Sequence, residues 1–208
     1  MKQAVTAIFV SGDKIYVIKR QDYLKAFPGY TAFPGGKVED TEPEGHLNIK
    51  FIEKYSPKVM RGLIREIKEE LGYNLKKGIE MGEVVSFSHI GNAVTPEFNQ
   101  FRFDTHFYKI VLSNPYPFEI DLAECSGGFW ARPSEILESF KRGELLMVPP
   151  TYKAIAALAE NIHLEHSIDL NLNYDAETMV PYISPIYGIT NFFPLSNTFL
   201  RQFAPTPF

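Results

Sequence analysis

One stretch constrains the fold more than any other: RGLIREIKEELGY, residues 61–73. At about 100° per residue, Met60, Ile64, Ile67 and Leu71 fall within about 60° of one another on a helix over 57–71, so one stripe is apolar and is expected to be buried. Glu66, Glu69 and Glu70 share an arc of about 100° on the other side of the wheel. The acids are therefore expected to point away from the core. Ser56-Pro57 suits the start, because serine can accept a bond from an orphan N–H and proline at the first position loses no bond it needed. Gly72 suits the stop, because the left-handed residue that ends many helices costs glycine little.

Like charges three and four positions apart cost an isolated helix about 0.2–0.5 kcal/mol, so the Glu66/Glu70 and Glu66/Glu69 pairs are mildly unfavourable alone. A divalent cation reverses the sign. Mg²⁺ takes hard oxygen ligands, commonly a few carboxylates with waters and substrate phosphates completing the shell, and Mn²⁺ is the other candidate. Gly62, one turn before Glu66, leaves room for a loop or a phosphate to approach the helix closely. A merely solvated helix also shows an acid-rich face, so the residues upstream decide between the two readings.

Upstream, AVTAIFV and IYVIKR are β-branched and aromatic runs separated by SGDK, which predicts a hairpin over about residues 3–20. FPGYTAFPGG follows, two Pro-Gly pairs around a short extended piece. Residues 43–55 show no period and are read as a loop. Downstream, GEVVSFSHI and FRFDTHFYKIVL read as strands, the second alternating Phe101, Phe103, Thr105, Phe107 with Arg102, Asp104, His106, Tyr108. PSEILESFKRGE and PPTYKAIAALAENIHLEH read as two helices, each opened by proline and a capping residue, with HLEH as the polar end of the last one. The 28 residues from Pro181 hold five prolines and seven aromatics. A tail that apolar is expected to pack on its own domain, on a second copy of the chain in a homodimer, or on a further domain.

With 208 residues, 45% of them hydrophobic, the chain can bury one sizeable core. Its net charge of −4 offers a polyanion no overall attraction, so nucleic acid is not expected as a partner. Cys125 stands alone, which excludes an intramolecular disulfide and a Cys/His zinc cluster and suits a reducing compartment. No segment approaches the roughly 20 apolar residues of a membrane helix, so the expectation is a soluble, cytoplasmic protein with no membrane partner.

Gly35-Gly36 after a short extended run, Glu42 six residues beyond Gly36, then Arg65-Glu66, Glu69-Glu70 and Gly72 together resemble the Nudix box: G, five residues, E, seven residues, R-E-U-x-E-E-x-G-U, with U a bulky aliphatic. Two departures stand out. Residues 43–64 intervene where the pattern has seven, so 15 are inserted, which puts the role of Glu42 in doubt; and Tyr73 replaces an aliphatic residue. FPGYTAFPGG, TPE at 95–97, RFDTHFY at 102–108 and PSEIL with GELLMVPPT look like the subgroup that includes the peroxisomal coenzyme A diphosphatases, which also tends to carry an insertion inside the box. PIYGITNFFPLSNT resembles the segment joining a Nudix domain to a metallo-β-lactamase-like domain in some bacterial proteins.

The resemblance implies an α/β fold, the Nudix α/β/α sandwich with a mixed β-sheet, over residues 1–165, followed by an aromatic, proline-rich C-terminal extension at 166–208. It implies hydrolysis of a small substrate in which a nucleoside diphosphate is linked to another moiety, coenzyme A before ADP-ribose and nucleotide sugars. Glu66, Glu69 and Glu70 would hold Mg²⁺ or Mn²⁺, and Arg65 would orient a carboxylate without touching substrate. The general base points to Glu124, six residues before Trp130, with a solvated loop acid as the equal alternative and Glu97 as a weaker candidate. Phe27, Tyr30 and Phe98 are candidates to stack on a base, Lys19, Arg20 and Arg102 to meet phosphate, and Gly35 and Gly36 to let the substrate approach. A Nudix-like module that binds nucleotide without cutting it is the other reading. Such modules usually lose box glutamates, and all three helix acids are present here.

Overall fold

The computed structural model describes residues 1–97 and 102–172. Phe98, Phe101 and the tail from Pro181 lie outside the described residues. The predicted hairpin is β1 (Lys2–Ser11) and β2 (Lys14–Arg20), and the Pro-Gly segment supplies β3 (Thr31–Ala32) and β4 (Gly35–Lys37). The glutamate helix is α1 (Pro57–Leu71), and a short α2 (Leu75–Glu80), with no counterpart in the sequence-based expectations, follows it. Then come β5 (Val84–Val94), β6 (Phe103–Leu112), β7 (Cys125–Ala131), α3 (Pro133–Lys141) and α4 (Pro149–Glu160).

The strands run in the order β3-β2-β1-β6-β5, with β4 also on β1 and β7 also on β2. β1 and β6 are parallel while the other pairs are antiparallel, so the sheet is mixed. β1 pairs with β2 only near the turn, at Val10/Ile15 and Ser11/Lys14, and its first half turns to β4. That divergence opens the space in which α1 meets β4.

Helices cover both faces. Val5, Ala7 and Phe9 of β1 pack with Met60, Leu63, Ile67 and Leu71 of α1, whereas Ile8 and Val10 pack with Ile155 and Leu158 of α4. A strand buried on both sides carries a near-continuous apolar run, which is why AVTAIFV does not alternate. The same reason puts both Phe107 and its neighbour Tyr108 in the core, on opposite faces. The expected α/β/α layering with a mixed sheet is what the chain forms.

Several local expectations need correction. Ser56 precedes α1 but makes no side-chain cap bond, and Val148 before α4 has no group that could cap. Gly72 does take the left-handed conformation, with φ 64°. Ile64, expected on the buried stripe, is only half-buried. The last helix ends at Glu160, so the histidines of HLEH lie beyond it. Residues 43–55 form turns without a regular element, as expected of a loop, yet Ile49 and Ile52 are buried, and Leu47, Phe51 and Tyr55 pack against the α1 side of the core. Among the described residues no helix is long and apolar enough to cross a membrane.

Candidate active site

The double glycine determines how closely β4 can approach α1. Gly35 has φ 147°, and a Cβ there would lie 2.1 Å from the Val5 carbonyl oxygen, so no other residue fits without breaking the β1–β4 pairing. A Cβ on Gly36 would lie 2.5 Å from the Glu66 carboxylate. With both side chains absent, the Gly35 N–H donates a 2.7 Å hydrogen bond to Glu70 Oε2.

Glu70 is therefore not on the outer face. Its residue is 3% exposed, against the expectation that all three acids point away from the core. The helical wheel describes α1 alone, and β4 covers the side on which Glu70 projects. Glu66 is largely covered as well, and only Glu69 stands out in solvent. Gly62, expected to leave room for a ligand, is instead packed against Val38, with Cγ2 3.2 Å from where a Cβ would sit.

Arg65 gathers the remaining box residues. Its Nε donates to Glu42 Oε1 at 2.8 Å, and Nη1 to Glu66 Oε1 at 2.9 Å and to Glu69 Oε2 at 2.8 Å. Nη2 donates to the Lys37 carbonyl oxygen at 2.8 Å. Despite the inserted residues, which pack on the core, the chain brings Glu42 to Arg65.

Electrostatics single out Glu70. Burial pushes its carboxyl up to about 8, the Gly35 N–H opposes the shift, and the charges of Glu66 and Glu124 add to it. Burial also raises Glu66, against the pull of Arg65. Glu124 itself is exposed, but its loop is tied to the end of α1: Asp121 N–H donates to the Glu70 carbonyl oxygen at 2.8 Å, and Glu119 N–H to that of Leu71 at 3.1 Å. The Glu124 carbonyl oxygen in turn accepts from Gln21 N–H at 2.9 Å, next to Arg20.

A cleft of about 530 Å³ meets the site at Gly35 and Gly36, and none of Glu66, Glu69, Glu70 and Glu124 lines it. Arg20, Phe27, Tyr30, Gly35 and Gly36, all candidates from the sequence, line it. Phe27 and Tyr30 meet edge to face at 5.5 Å, and Arg20 Nε donates to the Ala26 carbonyl oxygen at 3.2 Å. Arg102 does not line the cleft; its Nε donates to the Thr95 carbonyl oxygen at 3.3 Å and its guanidinium lies 3.9 Å from Glu97. Lys19 is exposed on β2 and also outside the lining. Thr6, Lys25 and Lys37 line the cleft without having been expected to, since nothing in their spacing distinguishes them from ordinary strand and loop residues.

Among the described residues no group of three or more His, Cys, Asp or Glu is drawn together tightly enough to hold a metal ion. Arg65 is hydrogen-bonded to both Glu66 and Glu69. The donor set nevertheless fits a hard divalent cation, because Glu70 is a buried carboxylate whose one hydrogen bond is to Gly35 and whose nearest charged neighbours include two more carboxylates. A cation there would offset both the desolvation and the repulsion.

A mixed-sheet α/β/α domain in which a glutamate helix presses its acids against a glycine strand defines the class. The NUDIX domain family matches residues 1–149, and the chain belongs to that family. Acyl-coenzyme A diphosphatase NUDT19 of Homo sapiens is 43% identical over 58 residues, 28% of this chain and 16% of that protein, so the likeness spans a small part of the relative. In three dimensions the chain is similar to a NUDIX hydrolase from Alicyclobacillus acidocaldarius, with TM-score 0.63, 21% identity, and coverage of 77% of this chain and 91% of that one. It is also similar to the NUDIX domain of Shewanella oneidensis NrtR, solved with ADP ribose, with TM-score 0.54, 14% identity, and coverage of 78% and 88%. At such identities these structures speak for the fold.

Proposed function

We propose that the chain is a hydrolase dependent on Mg²⁺, or on Mn²⁺ in its place, that cleaves the diphosphate of a nucleoside diphosphate linked to another moiety, with coenzyme A or its acyl derivatives as the first candidates and ADP-ribose and nucleotide sugars next. The observation that carries this reading is the buried Glu70 carboxylate, held by the N–H of Gly35, which itself lines the cleft. The stretch 43% identical to an acyl-coenzyme A diphosphatase supports the order of substrates. So does the apolar part of the cleft, where Ala4, Ala93, Phe103, Phe107 and Val148 suit an uncharged chain beyond the diphosphate.

Glu66 and Glu70, with Glu69, are the residues to hold the metal, which when bound supplies charge neutralisation at the diphosphate and a lowered pKa for the attacking water. Arg65 fixes the rotamers of Glu66 and Glu69 and is itself fixed by Glu42 and the Lys37 carbonyl oxygen. The bare backbone at Gly36 leaves room for the Glu66 carboxylate beside the cleft wall. Arg20 is positioned to meet a phosphate at the cleft wall, and Phe27 and Tyr30 offer ring faces to a base. Glu124, close enough to raise Glu70 electrostatically, is the candidate to take the proton of the water.

Hydrolysis of coenzyme A, an acyl-coenzyme A, ADP-ribose, UDP-glucose and NADH, each with Mg²⁺ or with chelator, by wild type and Glu70→Gln, tests the reading. The variant keeps an oxygen to accept the Gly35 bond and loses the charge. Metal-dependent cleavage by wild type, reduced about 100-fold or more in the variant, is the expected result. Equal rates in the two proteins, or rates indifferent to chelator, would overturn it.

A further inference from the structure

A second cavity, of about 510 Å³, lies between the inserted loop and the far side of α1. It shares no lining residue with the substrate cleft. Leu47, Ile49 and Ile64 give it an apolar floor, and Arg61, Lys68 and Lys76 line it as cations. Arg65 and Glu42 also line it, but they are paired with each other. The chain as a whole carries a net charge of −4, so this wall runs against the general balance.

The cations differ in how far they are engaged. Arg61 donates through Nη2 to the Gly45 and His46 carbonyl oxygens at 3.2 and 3.5 Å, while its Nε is buried with no hydrogen-bond partner among the described residues. Lys68 donates to the Gly72 carbonyl oxygen at 2.9 Å, and Lys76 lies a loose 3.8 Å from Glu80. Both lysine side chains can turn without disturbing the core.

We infer that this groove is a binding site for a small organic phosphate with an apolar body, separate from the substrate cleft and built by the inserted loop. The phosphate would sit among Arg61, Lys68 and Lys76, where charge-assisted hydrogen bonds to a dianion are strongest, and the apolar body would lie on Leu47, Ile49 and Ile64. Neither half of the wall suffices alone: the lysines are too exposed to hold a bare anion firmly, and the apolar floor is too small to hold a neutral ring. The site does not depend on what the cleft hydrolyses.

The probe is 1-naphthyl phosphate, titrated by its own fluorescence into the full chain in chelator, where no metal can bridge a phosphate to the glutamates. Saturable binding at one site is expected, weakened about tenfold or more in the double variant Lys68→Glu/Lys76→Glu and unchanged in Glu70→Gln. Circular dichroism of the double variant should match wild type, since both lysines are on the surface, and its hydrolytic activity should be unaltered. Equal affinity for 1-naphthol would overturn the phosphate contribution, and equal competition by inorganic phosphate would overturn that of the apolar floor. Absence of saturable binding, or binding lost in Glu70→Gln and kept in the lysine variant, would overturn the site.

Discussion

The backbone N–H of Gly35 reaches the carboxylate of Glu70 at 2.7 Å, across 35 positions of sequence. The contact exists because two successive residues of β4 have no side chain, yet the two positions fail differently when filled. At Gly36 an added methyl meets the far end of the Glu66 side chain, which can swing aside. At Gly35 it meets the backbone of Val5, which cannot. Gly36→Ala is therefore expected to fold with a loss within about 1–3 kcal/mol and to lose most activity, whereas Gly35→Ala should be destabilised beyond that range. Urea denaturation alongside turnover checks the pair, and a fully active Gly36→Ala would show that the Glu66 position is immaterial.

Arg65 makes four hydrogen bonds, three to carboxylates and one to a backbone carbonyl. A lysine carries the charge but not the planar fork that serves these acceptors together. Arg65→Lys should accordingly lower kcat by about 10–100-fold, and Glu42→Gln by less, since Arg65 keeps its other partners. Steady-state kinetics at saturating metal would decide it. Full activity in Arg65→Lys would mean that charge alone suffices.

The α1 helix and the hairpin could be read directly, because both are local patterns: a 3.6-residue stripe ended by Gly72, and two β-branched runs around a turn. The burial of Glu70 could not. A helical wheel knows nothing of β4, which comes from another part of the chain and closes over the acid side. Glu42 shows the same limit from the other direction, for counting residues put it out of register while the fold brings it to Arg65. Glu124 was reachable only as an analogy; what brings it near the acids is the bond from Asp121 to the end of α1, a backbone contact that leaves no trace in residue type. The short α2 gave little signal, with six residues and a glycine among them.

Ile52 lies within the inserted loop and is fully buried. If the loop were a surface appendage, Ile52→Ala would change stability by no more than about 0.5 kcal/mol. As part of the core it should cost about 2–5 kcal/mol. Chemical denaturation distinguishes the two, and the small value would mean that the loop folds independently of the sheet.

His106, on β6, faces His89, Asp104 and Tyr108. Burial holds its imidazole below the usual histidine range, with His89 acting in the same direction and Asp104 opposing. A group whose folded pKa is depressed binds protons more readily in the unfolded chain, so its contribution is present above about pH 6.5 and is lost as pH falls through the folded value. Stability of wild type should therefore decline below that pH more steeply than that of His106→Gln, as measured by urea midpoints across the acid range. Parallel curves would remove His106 from the account.

Closing a loop of 22 residues in place of seven costs only about 1 kcal/mol in chain entropy, because the penalty grows with the logarithm of length. Burial of Ile49 and Ile52 more than offsets that. The interval between Glu42 and Arg65 is thus a free variable of the architecture. A search that counts residues across the box would pass over this protein, while one that looks for a guanidinium among three carboxylates beside a paired glycine would find it at once. Freed from spacing, the same interval could acquire a surface of its own without disturbing the chemistry a few ångströms away.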